Sequence, residues 1–250
     1  MTQKLIVGNL KMNMENISQR DSYCKEFAEE FAQLKTNHHI AICPPMVYLE
    51  YFANVLKTLD VTLGAQDCFW ELYGSYTGNT SPKTIKSLGG ELVILGHSER
   101  RLYNHETNDD IVKKVKMALR TQLMPIVCVG FIDSGEDEMV AVRGQVESIV
   151  ANFTQEECEQ IIFAYEPVWA IGSGKTPTTD EIHTMIMFVR NLILNTHGKE
   201  CAENVGILYG GSVNPENVTS VCTKAYADGV LVGGASLSPR KFAQIARMLN

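Results

Sequence analysis

Apolar residues along this chain fall into two alternating rhythms. Short β-branched runs recur as KLIVGNL near residue 5, IAICPP near 40, VTLGAQ near 61, LVILGH near 92, PIVCVG near 125, IIFAYEP near 161, VGILYGG near 205 and DGVLVGG near 228. Runs of this length, ended by Gly, Pro or Asn, are what buried strands require. Between most of them lie longer stretches, such as SYCKEFAEEFAQLK, NDDIVKKVKMALRTQ and DEIHTMIMFVRNLILN, whose apolar residues recur at helical spacing. The strand-helix order repeats eight times, at about 30 residues per unit, which predicts an α/β fold of the closed (β/α)8 type, eight parallel strands surrounded by helices. No Pro/Ser-rich linker or shift in composition interrupts it, so one domain over residues 1–250 is expected. A doubly wound open sheet is the alternative that the same order allows.

Helix starts carry their own chemistry. Thr80, Ser81 and Pro82 precede one, Thr179 with Asp180 and Glu181 opens another, and Ser238 with Pro239 begins the last. The segment DCFWELYGSYTGNTSP after the third strand is long for a strand-to-helix connection and holds four aromatic residues, so something outside the barrel is expected to pack on it.

Composition narrows the class. Hydrophobic residues make up 45% of the chain, enough for a large core, and no apolar run reaches the roughly 18 residues that span a bilayer. The first residues, MTQKLIVGNLKMN, lack the long apolar region of a signal peptide, so a soluble cytoplasmic protein is expected. A formal net charge of -7 disfavours nonspecific binding to nucleic acid or anionic membrane and leaves room for a local site for a small anion. The seven cysteines contain no CxxC pair and read as free core thiols, and the adjacent His38 and His39 would face opposite ways on a strand. No metal site is expected.

In a parallel barrel, chemistry sits where strands end, and four strand ends carry suitable groups. Asn9 and Lys11 follow the first strand, His97, Ser98 and Glu99 the fourth, Glu166 the sixth, and the glycine pairs of YGGSV and LVGGAS the seventh and eighth. Glu166 precedes Pro167 and a Gly-rich segment, which suits a general base beside a closing loop. His97 can donate to a substrate oxygen and shuttle protons, and Lys11 can stabilise developing negative charge. Glycine pairs in successive loops free backbone amides to cradle a phosphate. The run GSGKT at 172–176 is not a nucleotide-binding P-loop, because Trp169 stands where its first glycine belongs.

Five motifs in this order, GNLKMN at 8–13, LGHSERR at 95–101, AYEPVWAIGSGKT at 164–176, LYGGSV at 208–213 and DGVLVGGASL at 228–237, resemble the triosephosphate isomerase family along nearly the whole chain. That family gave the TIM barrel its name and is itself a standard worked case of acid/base tuning, a glutamate base with a neutral histidine electrophile under a closing loop, so the mechanism is carried over from it. The resemblance implies interconversion of dihydroxyacetone phosphate and D-glyceraldehyde 3-phosphate, in glycolysis and gluconeogenesis, with no metal or organic cofactor. Residue by residue it implies Glu166 as base, His97 as electrophile and proton shuttle, and Lys11 with Asn9 as stabilisers of the enediolate. Ser98 would orient the resting base, with Glu99 supporting Lys11. Gly172, Ser212, Gly233 and Gly234 would hold the phosphate, and Ile171 and Leu231 would clamp the carboxylate in apolar surroundings. It also implies a homodimer in which the loop after the third strand enters the partner's site, led by Thr77.

The chain departs from that pattern at several positions. Leu10 stands where tryptophan is frequent, which affects packing. Asn79 replaces a glutamate that usually pairs with the arginine matching Arg100, weakening the expected dimer contact. Phe131 replaces the glutamate after VCVG, altering how Trp169 is held, and Pro177 restricts the loop's second hinge. Three other readings stand beside the isomerase: a tetrose-phosphate isomerase of the same fold, a noncatalytic phosphate-binding barrel, and an oligomer scaffold built on the loop at Tyr73 to Thr77.

Overall fold

The computed structural model describes residues 3–131, 136–170 and 176–250. Eight strands, β1 (Leu5–Asn9), β2 (His39–Cys43), β3 (Thr62–Ala65), β4 (Leu92–Leu95), β5 (Met124–Val129), β6 (Ile162–Tyr165), β7 (Ile207–Tyr209) and β8 (Gly229–Val232), form a closed barrel in chain order. All pairings are parallel, and β1 meets β8 with Leu5 beside Gly229 and Gly8 beside Val232. The open sheet is thereby excluded, since each strand has a neighbour on both sides.

Helices return the chain between strands. They are α1 (Ile17–Ala32), α2 (Leu49–Leu56), α3 (Pro82–Ser87), α4 (Ser98–Asn104), α5 (Asn108–Arg120), α6 (Glu138–Val150), α7 (Gln155–Cys158), α8 (Thr179–Asn204), α9 (Val218–Thr223) and α10 (Pro239–Arg247). Ser81 caps α3 and Ser238 caps α10, each ahead of a proline, as the sequence predicts. The start of α8 lies one residue from expectation: Thr178, not Thr179, is the cap, because its hydroxyl accepts from the Glu181 amide while the Glu181 carboxylate accepts from Thr178. The helix is kinked at Gly198, where φ is 86°.

Strand alternation sorts the core into two shells. Val7, Ala41, Cys43, Leu92, Ile94, Ile126, Cys128, Ala164, Leu208 and Leu231 fill the barrel, while Ile6, Ile42, Val93, Leu95, Phe163 and Tyr165 pack outward against the helices. Parity then aims the next residues. On β6, inward Ala164 makes Glu166 the next inward position, and on β1, inward Val7 does the same for Asn9. All seven cysteines are buried free thiols, as expected.

Beyond the core, one buried charge cluster ties the third and fourth loops together. Lys114, on α5 and 2% exposed, has its ammonium 2.7 Å from Asp67 and 2.6 Å from Glu106. Arg100 reaches the same two carboxylates at 2.9 and 2.6 Å. Burial pushes the Asp67 carboxyl up, Lys114 opposes that rise, and Glu106 adds to it. Removing the central cation from such a cluster is costly, because the carboxylates stay buried. Lys114→Met is expected to lose about 3–5 kcal/mol of stability, seen as a lower urea midpoint with the slope retained.

Candidate active site

Glu166 stands just past β6 with its amide donating to the Val129 carbonyl at 2.8 Å, which continues the β5–β6 ladder by one residue. Gly130 makes this approach possible: its φ is 113°, and a Cβ there would collide with the Glu166 carbonyl. The side chain is 3% exposed, and both carboxylate oxygens have donors. Oε1 lies 2.9 Å from His97 Nε2, and Oε2 accepts from the Ser98 amide at 3.0 Å. Ser98 thus meets the carboxylate through its backbone, while its Oγ has no hydrogen-bond partner among the described residues.

His97 ends the β4 loop and caps α4. Its Nδ1 accepts from the Glu99 amide at 3.2 Å, so in the neutral ring the proton sits on Nε2, facing Glu166. Burial lowers the His97 pKa, but the Glu166 charge and hydrogen bond outweigh it and the net shift is upward. For Glu166 burial favours the neutral acid, yet His97, the Ser98 amide and Lys11 together hold its carboxyl below the ordinary value. The Cys128 thiol lies against the same carboxylate, and burial followed by the Glu166 charge pushes its pKa far up, so it stays protonated.

Lys11 reaches over from β1. Its backbone is left-handed, φ 51°, a strained state for a side chain with a Cβ. Three contacts fix it: the Lys11 amide donates to Asn9 Oδ1 at 3.0 Å, Gln66 Nε2 donates to the Lys11 carbonyl at 3.0 Å, and Lys11 Nζ lies 2.6 Å from Glu99 Oε1. Gln66 also donates to the Cys43 carbonyl at 2.9 Å. Asn9, Lys11, His97 and Glu99 line a cavity of about 1110 Å³, together with Thr77 and Arg100. Glu166 is not part of that wall; it lies against His97.

Gly233 follows β8 beside Lys11, and a Cβ there would stand 3.5 Å from Lys11 Cε. Gly234 opens the 3-10 turn Gly234–Leu237, and Ser212 is exposed after β7 with its carbonyl accepting from Asn217 at 2.9 Å. Leu231 is buried in the inner shell of the barrel. Gly172 and Ile171 lie outside the described residues. Pro177 is buried immediately before the cap of α8.

Thr77 is exposed near the tip of a loop that packs on itself, with Phe69 4.3 Å from Trp70 and 4.8 Å from Tyr76 between ring centres. Arg100 is paired within the chain with Asp67 and Glu106, and Trp169 donates to Glu138 at 3.0 Å where Phe131 offers no carboxylate. Gln66, Cys128 and Glu138 escaped the sequence reading, because each reaches the site from another strand or helix and no local motif marks them. Among the described residues, no cluster of three or more His, Cys, Asp or Glu is placed to hold a metal ion, and no helix is long and apolar enough to cross a membrane.

The arrangement can move a proton: a buried carboxylate, a histidine with a defined donor nitrogen and an ammonium converge on one mouth. In Glu166→Gln the charge that raises the His97 pKa is gone while burial remains, so that pKa is expected to fall in a histidine NMR titration. The wild-type pair adds stability that is complete between about pH 4.5 and about pH 6.5, fades as pH rises through the raised His97 value, and fades as pH falls through the lowered Glu166 value. The substituted chain is expected to lack this slope in its stability–pH profile.

The profile of a family described as triosephosphate isomerase matches residues 4–249. A curated triosephosphate isomerase from Dictyoglomus turgidum is 40% identical over 251 residues, covering 99% of this chain and 100% of that protein. Those of Phocaeicola vulgatus, 39% identical, and a Thermoanaerobacter species, 40% identical, each cover 98% of this chain and 98% and 99% of their own length.

Proposed function

The chain belongs to the triosephosphate isomerase family and is an isomerase interconverting dihydroxyacetone phosphate and D-glyceraldehyde 3-phosphate, and we propose that Glu166 carries the proton between the two substrate carbons. The observation that supports this assignment most directly is the buried Glu166 carboxylate facing His97 Nε2 at 2.9 Å. Both oxygens are occupied at rest, so the base must leave Ser98 and His97 to reach a substrate carbon. That departure changes His97 as well. With the carboxylate gone, burial and the Glu99 amide on Nδ1 both favour the neutral ring, and its Nε2–H is left free to polarise the substrate carbonyl. Lys11 and Asn9 stabilise the enediolate oxygens. Every step is a proton transfer within the reach of these side chains, so no cofactor is invoked.

We assign the phosphate to the amides of Gly172, Gly233 and Gly234 with Ser212, at the loops where barrels of this type gather anions. To Ile171 and Leu231 we assign the apolar clamp that desolvates the carboxylate. The chain reads as one (β/α)8 domain across 1–250, resident in the cytoplasm, where its buried thiols stay reduced. A second copy is the expected partner: exposed Met12, Val47, Tyr73 and Tyr103 accompany Thr77 on the loops that flank the cavity. Neither nucleic acid nor membrane is an expected partner for a chain of net charge -7.

Glu166→Gln is expected to lower kcat by about 10²–10⁴-fold while 2-phosphoglycolate still binds. Unchanged turnover would remove Glu166 from the mechanism. A coupled assay with triose and tetrose phosphates is expected to show turnover of the triose; preference for the tetrose would reassign the substrate. Sedimentation over a range of concentrations should give a dimer, and Thr77→Arg should shift it to monomer with lower kcat. Full activity in a monomer would contradict the assembly.

A further inference from the structure

The turn that carries two of the glycines assigned to the phosphate is held from outside the barrel by a tyrosine. Tyr23 stands buried on α1, its ring stacked on Phe27 at 5.8 Å between centres and tilted against Phe52 of α2 at 6.0 Å. Its hydroxyl donates to the Ser236 carbonyl at 2.8 Å, across 213 residues of chain. Burial pushes the phenol well up, so it keeps its proton and stays a donor. The ordinary turn bond to that carbonyl is barred. Pro239, three residues after Ser236, has no N–H with which to close on it.

Ser236, itself buried, passes this hold on to the glycines. Its amide donates to the Gly233 carbonyl at 2.9 Å, and its Oγ donates to the same carbonyl at 2.6 Å, with the Asn9 carbonyl 3.3 Å away. The Gly233 carbonyl and the Gly234 N–H belong to one planar trans peptide, so fixing the first fixes where the second points. Nothing local would do so at Gly234, where a Cβ would meet no atom within 4 Å. The aim of the peptide is therefore set by Ser236, and the place of Ser236 by Tyr23.

We propose that Tyr23 is a positioning residue for the phosphate: its hydroxyl holds the Ser236 carbonyl, and through Ser236 the Gly233–Gly234 peptide, so that the Gly234 amide is aimed before the anion arrives. The inference rests on the assignment of the phosphate to Gly233 and Gly234. A donor aimed in advance loses less freedom on binding than one that must first be ordered. Without the phenol, the buried Ser236 carbonyl loses this donor and the turn is free to shift. Among the described residues, neither Tyr23 nor Ser236 hydrogen-bonds to the side chains of Glu166, His97 or Lys11, so the loss falls on phosphate binding.

Tyr23→Phe in the full chain keeps the ring against Phe27 and Phe52 and removes the one bond. With D-glyceraldehyde 3-phosphate its KM is expected to rise about 5-fold at unchanged kcat, and calorimetry should show 2-phosphoglycolate bound about 5-fold more weakly. Deuterium exchange into D-glyceraldehyde, which has no phosphate, is expected to keep the rate of the unsubstituted chain. Ser236→Ala cuts the next link and should act in the same direction, the double variant losing less than the product of the two. Unchanged KM and Kd in Tyr23→Phe would overturn the proposal. So would an equal loss on D-glyceraldehyde, which would mean that the whole site had loosened, fully multiplicative losses in the double variant, or a Tyr23→Phe chain that does not fold, which would make the phenol a folding residue. The amide NMR signals of Gly233 and Gly234 in the unsubstituted chain, followed as 2-phosphoglycolate is added, test the assignment beneath it. Unmoved signals would remove that assignment and the proposal with it, whereas moved signals beside unchanged binding by Tyr23→Phe would overturn the role of Tyr23 alone.

Discussion

A carboxylate buried at the end of a strand survives only if each of its oxygens meets a donor, and that requirement organises this site. Glu166 has two, the His97 imidazole and the Ser98 amide, and both come from the single turn that follows β4. The turn can face β6 only because β5 lies between them in a closed parallel barrel, and Gly130 at the end of β5 lets the backbones meet. The fold is therefore coupled to the base through hydrogen bonds as well as through packing. Charge inside the barrel mouth is tolerated because the geometry satisfies it in pairs.

The same pairing sets the charge of the carboxylate. A carboxylate with free lone pairs in an apolar pocket would gain a proton; one held by His97, Ser98 and Lys11 remains ionised. In the proposed mechanism its basicity is expressed when those partners are exchanged for substrate. The strain at Lys11 belongs to the same economy of contacts, since its left-handed backbone is held by Asn9 and Gln66 while its ammonium is aimed by Glu99.

How far the sequence reaches follows from the range of each interaction. β-branched runs such as IIFAYEP mark strands because local burial dictates them, and Ser81–Pro82 and Ser238–Pro239 mark helix starts because capping is local. Thr178 escaped by one residue, since either threonine of the pair suits a cap and only the Glu181 contact selects it. Glu166, His97 and Lys11 were legible from their place after strands. Gln66 and Glu138 were not: they act across 55 and 31 residues of chain, through barrel closure, and nothing beside them in sequence signals it. The reverse holds for Asn79 and Phe131. Their motifs warned of missing carboxylates; within the chain Arg100 pairs with Asp67 and Glu106, and Trp169 donates to Glu138.

The cluster around Arg100 and Lys114 also bears on how the chain answers to dilution. Both cations find their counter-charges, Asp67 and Glu106, inside one chain. Closing these pairs is an intramolecular step, so its equilibrium does not depend on chain concentration. Diluting the chain leaves this part of the fold as it is.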